Sequence, residues 1–261
     1  MYDIVFVVLV YRNTDDLKDF FASNYLPNTK TIVVNSFYDE ESEKSFKRIA
    51  DKYGADFLSV PNKGYGAGNN RGIEHALSNY KFKYLVISNA DIMIEKLNVE
   101  SLEKKSTVII APKIINLRNK NQNPSTPFFP SRIIWRLWKF IYANDLRFLS
   151  WGMFALSRIK RTIFYLIAPF NKKIFSAHGS FVIFPESVLK QLVPIYNEKM
   201  FLFAEEEHLG MLAAKKGIDT YYVPDIVIKH KENGSMSVAS VNEFEKMKQS
   251  YLEFYDYWFN K

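Results

Sequence analysis

With 261 residues, 48% of them hydrophobic and 24% charged, the chain is long enough for one large α/β domain or two small ones. It has no cysteine, which excludes disulfide frameworks, thiolate metal sites and cysteine nucleophiles together and fits a reducing compartment. The net charge of +7 is local: residues 113–175 hold twelve basic side chains against Asp145 alone, a net +11 that leaves −4 elsewhere, so an anionic partner at one face is expected.

Met1-Tyr2-Asp3 is no basic leader, and the apolar run 4–10 is too short to span a bilayer; it reads as a first strand buried on both faces. Asn13-Thr14-Asp15-Asp16 then caps a short helix to Ala22. A strand at 31–34, a helix at 40–53 with charges outside and a strand at 57–60 closed by Pro61 follow. The glycine-rich loop 62–70 leads into a helix from Arg71 to Asn79, and strands follow at 84–88 and 108–111. Strands alternating with helices predict βαβ units and a mostly parallel sheet.

The pattern breaks after Pro112. Residues 116–130, rich in Asn and Pro, read as a loop. A basic aromatic stretch with helical spacing comes next: Ile134, Trp135, Trp138, Ile141 and Tyr142, then Phe154, Ile159, Ile163, Tyr165 and Leu166. These apolar residues suit a core, a bilayer interface or nucleic acid. Arg158, Lys160 and Arg161 interrupt the apolar region 151–170, so no membrane span is expected and a cytoplasmic protein follows. Sheet signals return at 181–184, 220–223 and 226–228, around a helix at 206–216, and a last helix is expected from Val241 to Phe259.

Three groups carry chemistry at element ends, where open α/β sheets place ligands. Asp91 follows an apolar strand in Ser88-Asn89-Ala90-Asp91 and offers a hard oxygen ligand, or a simple turn cap. Glu205-Glu206-Glu207 opens a helix, where acids serve as dipole partners or one serves as a base. His230 closes a strand as a metal ligand or an ordinary loop histidine. Gly64-x-Gly66-x-Gly68 suits close approach of a ligand at a helix start, or a tight turn; following the third strand, it is not a dinucleotide fingerprint. His178, before Gly179-Ser180, reads as structural, with the glycine suggesting a close backbone approach.

Taken together, these motifs resemble the family 2 glycosyltransferases of the GT-A fold, especially bacterial surface-polysaccharide enzymes including rhamnosyltransferase-like members. The likeness runs from residue 4 to about 237, with 113–175 divergent. It rests on Val7-Val8-Leu9-Val10-Tyr11-Arg12-Asn13, on Ile32-Val33-Val34-Asn35-Ser36, where Asn35 replaces the usual acid, and most specifically on residues 62–72. Asn89-Ala90-Asp91 is similar to the family's metal element, and Phe201-Leu202-Phe203-Ala204-Glu205-Glu206 to the element whose second carboxylate is the base. His230 with Gly234-Ser235 resembles a metal-holding histidine, and His178-Gly179-Ser180 an element near the acceptor.

The resemblance implies one GT-A domain over 1–261: a mostly parallel Rossmann-like sheet flanked by helices. Residues 1–112 form a nucleotide-sugar half, 113–175 a basic helical insertion and 176–261 an acceptor and catalytic half. It implies an inverting hexosyltransferase using a dTDP- or UDP-linked sugar, with Mn²⁺ or Mg²⁺ on Asp91 and His230. Glu206 is then the base with Glu205 in reserve, Asn35, Gly64, Gly68, Asn69, Asn70 and Asn89 line the donor, and His178 and Ser180 lie on the acceptor side. The acceptor would be a lipid-diphosphate-linked oligosaccharide of capsule or O-antigen synthesis, met at the inner face of the cell membrane by the basic segment, with no nucleic acid involved. The alternatives are a non-catalytic nucleotide-sugar or glycan-binding protein on the same fold, and a membrane- or nucleic-acid-binding module.

Overall fold

The computed structural model describes residues 1–167, 172–232 and 243–260. Strands and helices alternate as β1 (Tyr2–Val10), α1 (Thr14–Ser23), β2 (Thr29–Ser36), α2 (Glu40–Lys52), β3 (Asp56–Val60), α3 (Tyr65–Asn79) and β4 (Phe82–Asn89). Next come β5 (Ile92–Lys96), α4 (Val99–Glu103) and β6 (Ile109–Asn116), then two consecutive helices, α5 (Arg132–Ala143) and α6 (Arg147–Ile167). The chain continues through β7 (Lys172–Ile174), β8 (Phe181–Pro185), α7 (Glu186–Leu192), α8 (Glu205–Lys215), β9 (Thr220–His230) and α9 (Glu243–Phe259).

Side chains alternate across a strand, and β1 is apolar at every position of its run, so it separates two cores. Val5 and Val7 pack with Ile73 and Ala76 of α3. Ile4, Phe6 and Val8 pack with Leu17 and Phe20 of α1 and Phe46 of α2. Fully burying side chains of this size stabilises the fold by about 1.5–3 kcal/mol each. Asn13 and Asp39 fix the starts of α1 and α2 by accepting from the Asp15 and Ser42 amides.

One sheet takes the order β3-β2-β1-β4-β8-β6-β9-β5, with β7 sharing the edge of β9. The pairs β3–β2, β2–β1, β1–β4 and β6–β9 are parallel. β8 runs against both β4 and β6, which brings its lead-in to the carboxyl end of β4. Since β6 and β9 run with β4, His230 at the end of β9 lies at that same sheet edge.

Several boundaries differ from the sequence reading. α3 starts at Tyr65 rather than Arg71, so Gly66, Gly68, Asn69 and Asn70 belong to its first turns and not to a loop. The glycines let the helix press onto the sheet. A Cβ on Gly68 would fall 2.5 Å from Leu9 Cδ1, and one on Gly72 2.3 Å from Val7 Cγ1 and 2.9 Å from Val34 Cγ2. The two expected strands around Pro224 are one, β9, because a register shift between Pro112 and Lys113 absorbs the extra residues as a bulge. β5, β7, α4 and α7 had no counterpart in the sequence reading. The expected start of the last helix at Val241 lies outside the described residues.

The basic stretch divides into two environments. On α5, Trp135, Ile141 and Tyr142 are buried, and Trp135 and Tyr142 join Tyr251 and Phe254 of α9 in a third cluster. On α6, only Ser150, Met153 and Phe164 are buried, and Phe154, Ile159, Ile163 and Leu166 face solvent. No described helix is long and apolar enough to cross a membrane.

At Gly72 a methyl group would meet two β-branched side chains that have little rotamer freedom. Gly72→Ala should cost about 1–3 kcal/mol through overpacking, measured as a lower midpoint in urea denaturation at unchanged slope.

Candidate active site

Residues from six separate stretches of chain converge at the carboxyl edge of β4. Asp91 is buried just past β4, and the chain turns back there into β5, which pairs antiparallel with β9 so that Ile92 lies opposite His230. The Lys231 amide donates to the Asp91 carbonyl at 3.0 Å. This puts Asp91 Oδ1 3.2 Å from His230 Nε2.

The protonation of that pair follows from its neighbours. Gln122 Nε2 donates to Glu232 Oε1 at 2.8 Å, and a carboxylate there accepts, which fixes the orientation of the Gln122 amide. Its Oε1 therefore faces His230 Nδ1 at 2.7 Å, and Nδ1 is the donor. In a neutral ring the Nε2 lone pair then points at the Asp91 carboxylate, so two acceptors meet and a proton or cation between them would relieve the repulsion. Two ligands sharing one divalent ion at roughly 2.1–2.2 Å each stand about 3 Å apart. The donor set, one carboxylate and one imidazole with the second ring nitrogen anchored, thus fits a divalent cation. Among the described residues no group of three or more acidic or imidazole side chains could hold an ion, so the remaining ligands would come from substrate and water.

Opposite this pair stands the first turn of α8. Glu206 Oε1 accepts from the Gly179 amide at 2.6 Å, and Oε2 accepts from the Ser125 hydroxyl. His178 Nδ1 accepts from the Ser180 amide at 3.2 Å and lies 2.9 Å from its hydroxyl, so a neutral ring carries its proton on Nε2. Burial lowers the His178 pKa despite the nearby Glu206 charge, favouring that neutral ring. Its ring centroid is 5.8 Å from that of His230. Asp91, His230, His178, Ser180 and Glu206 therefore share one cluster, and Asn89 joins it by donating its amide to the Ser180 carbonyl at 2.9 Å.

The three consecutive glutamates have different surroundings. Glu205 is buried with no partner at Oε1, and burial pushes its carboxyl well above the usual range, with Glu206 and Glu207 adding to the shift. A raised carboxyl pKa favours the protonated form, and Glu205 has no hydrogen-bonding partner at Oε1 comparable to those of Glu206. Glu207 is also raised, by burial first and then by the charge of Glu206, and lies 3.4 Å from the Thr126 hydroxyl.

Several residues expected at the donor also make scaffold contacts. Gly64 has φ +104°, and a Cβ there would sit 2.2 Å from the Phe201 carbonyl oxygen, which accepts from the Tyr65 amide at 2.8 Å. Gly64 and Gly68 are thus needed for packing before any ligand is considered. Asn70 holds Tyr196 through both ends of its amide, at 3.0 and 3.3 Å. Asn35 and Asn69 are different: both are fully buried, and each keeps a side-chain oxygen without a partner. Gly234 and Ser235 lie outside the described residues.

Sequence reasoning missed Gln122, Asn123 and Ser125, which it placed in an undistinguished loop. Asn123 Oδ1 accepts from the His178 amide at 2.7 Å, and its Nδ2 donates to the Pro112 carbonyl at 2.8 Å. The signal was the density of hydrogen-bonding side chains in Asn121-Gln122-Asn123-Pro124-Ser125-Thr126. Asp16 was also missed, read only as part of a cap; it is buried near enough to Asp91 for the two charges to interact.

With that geometry in place, the comparison with known proteins is decisive on one point. A family model described as Glycosyltransferase like family 2 matches residues 6–247. The chain belongs to this family. No curated protein matches it in sequence. Among solved structures, GalNAc-T7 with UDP, GalNAc and Mn²⁺ has a TM-score of 0.58 at 12% identity over 90% of this chain and 45% of its own. The chain thus spans under half the length of that neighbour, and the likeness shows a shared GT-A architecture: a mixed α/β fold with helices flanking a central sheet. A197 from STIV, at TM-score 0.47 and 8% identity over 88% of this chain and 85% of its own, is too distant to argue from.

Within this family 2 chain, burial and then the charge of Asp91 raise the Asp16 carboxyl from 3.8 to about 6. The folded state therefore holds that proton more tightly than the unfolded state, and stability falls as pH climbs from about 4 to about 6. Asp16→Asn should remove this dependence and raise stability at pH 7 by about 1–3 kcal/mol. Urea denaturation of metal-free protein at pH 4 and pH 7 checks it; an unchanged difference between the two pH values would exonerate Asp16.

Proposed function

We propose that the chain is an inverting, metal-dependent glycosyltransferase that moves a hexose from a dTDP- or UDP-linked donor to a hydroxyl of a lipid-diphosphate-linked glycan. The reading extends to rhamnosyltransferase-like enzymes of bacterial capsule or O-antigen synthesis, working at the inner face of the cell membrane. The observation that carries it is that His178-Gly179-Ser180 joins the Asp91–His230 pair to Glu206, the His178 ring packing near His230 and the Gly179 amide holding Glu206, in a family 2 chain.

Asp91 and His230 would hold Mn²⁺ or Mg²⁺, which when bound supplies Lewis acidity toward the diphosphate leaving group. The Glu232–Gln122–His230 hydrogen bonds keep Nε2 as the ligating nitrogen. Gly179 N–H and Ser125 fix the Glu206 carboxylate in place. In the reaction Glu206 takes the acceptor hydroxyl proton as that oxygen bonds to the anomeric carbon, and the anomeric carbon–phosphate oxygen bond breaks with its electron pair leaving on the nucleoside diphosphate. Attack from the face opposite the leaving group inverts the anomeric centre. The transition state is oxocarbenium-like, as in glycoside hydrolysis. Asn35 and Asn69 would bond the donor only by local opening, since their unpartnered oxygens are buried here.

Three measurements test this. In a thermal-shift screen of nucleotide-diphosphate sugars with and without Mn²⁺, the true donor should stabilise the fold, more so with metal. Glu206→Gln should then lower transfer by on the order of 10²–10⁴ while that donor shift persists; undiminished turnover would refute the base. Gln122→Ala should weaken metal binding roughly 10–100-fold, as read by titration calorimetry with nucleoside diphosphate present.

A further inference from the structure

We infer that the outward face of α6, extended by the outer edge of α5, docks on an anionic lipid bilayer and lies within its interface. This rests on the surface alone and is independent of the transfer reaction, although a lipid-linked acceptor would be met there.

α6 is amphipathic in an unusual sense: its apolar stripe faces outward. The buried side consists of Ser150, Met153 and Phe164. At roughly 100° per residue, Phe148, Trp151, Leu156, Ile159, Ile163 and Leu166 fall on the opposite side, and all are exposed, with Phe148 at 80%, Trp151 at 71% and Leu166 at 78%. On α5, Ile133 at 74% and Phe140 are exposed as well. An apolar stripe of this length exposed along a helix marks an interaction site.

Charge selects the occupant. Neither helix contains an acidic residue. The one acid between them, Asp145, is neutralised by Lys248 at 2.8 Å. Arg158 and Lys160 are exposed on opposite margins of the α6 stripe, and Arg132 and Arg136 are exposed on α5. An open groove of about 360 Å³ on one flank of α6, lined by Trp151, Phe154, Ala155, Ser157, Arg158 and Arg161, sets two guanidinium groups beside an indole, the pairing that suits a phosphate at the headgroup level. A second copy of this chain would bring cations against cations with no acid to answer them. Nucleic acid would answer the cations but leave the aliphatic centre of the stripe in contact with a charged backbone. An anionic bilayer satisfies both parts, with acyl chains for the stripe and headgroups for its margins. With no described helix able to cross a membrane, the face lies on the surface.

Flotation of the full chain with phosphatidylcholine vesicles, with and without phosphatidylglycerol, tests this without reference to sugar chemistry. The protein should float with the anionic vesicles and stay behind with the neutral ones. Ile159→Glu with Leu166→Glu, and separately Arg158→Gln with Lys160→Gln, should each lower partitioning by on the order of tenfold or more. All four residues are exposed, and unchanged circular dichroism and melting temperature would establish that the fold is intact. Failure to float with anionic vesicles, equal flotation with neutral ones, or indifference to both variant pairs would overturn the proposal. So would sedimentation of the lipid-free protein as a stable dimer that the glutamate pair dissociates, which would assign the face to a second copy.

Discussion

Everything at the carboxyl edge of the sheet depends on one strand running the wrong way. β8 lies antiparallel between β4 and β6, with Ser88 opposite Phe181. A parallel strand there would deliver its far end to the site, whereas this one delivers its lead-in, His178-Gly179-Ser180, directly beside Asn89. The Gly179 amide then holds Glu206, and the His178 ring packs near His230. Reversal of one strand thus joins the β1–β4 half of the sheet to the half that carries Glu206 and the imidazoles.

Around that junction, charge is managed by unequal burial. Three adjacent glutamates open α8, where the helix dipole favours negative charge, yet the chain does not present three equivalent carboxylates. Glu205 is buried and its carboxyl pushed well above the usual range, Glu207 is raised, and Glu206 is bonded at both oxygens by an amide and a hydroxyl. Asp16 adds a further buried carboxyl beside Asp91, itself pushed up by burial and by that neighbour's charge. Each of these shifts opposes crowding of like charge, and each would respond to a cation placed at Asp91.

Much of the architecture was legible because its physics is local. A strand buried on both faces shows as an unbroken apolar run, as in β1, and capping residues announce α1. The start of α3 was misplaced because glycines signal loops in isolation, while here they answer to Leu9, Val7 and Val34 across the helix–sheet contact. Asp91 and His230 could be named as ligands, but their pairing is the work of β5, a five-residue strand with no readable period. Gln122, Asn123 and Ser125 were invisible for a different reason. Their contacts to the site come from partners more than fifty residues away, and no periodicity encodes such a contact.

The same remoteness has a consequence for how the site comes into being. Its members stand at positions 16, 91, 122–125, 178–180, 206 and 230, so no fragment of the chain contains it. The amide of Gly179 is protected by a glutamate side chain that arrives from α8 rather than by a neighbouring strand. Its hydrogen exchange is therefore gated by docking of α8 against the sheet, which makes one backbone proton a clock for the assembly of the whole crevice.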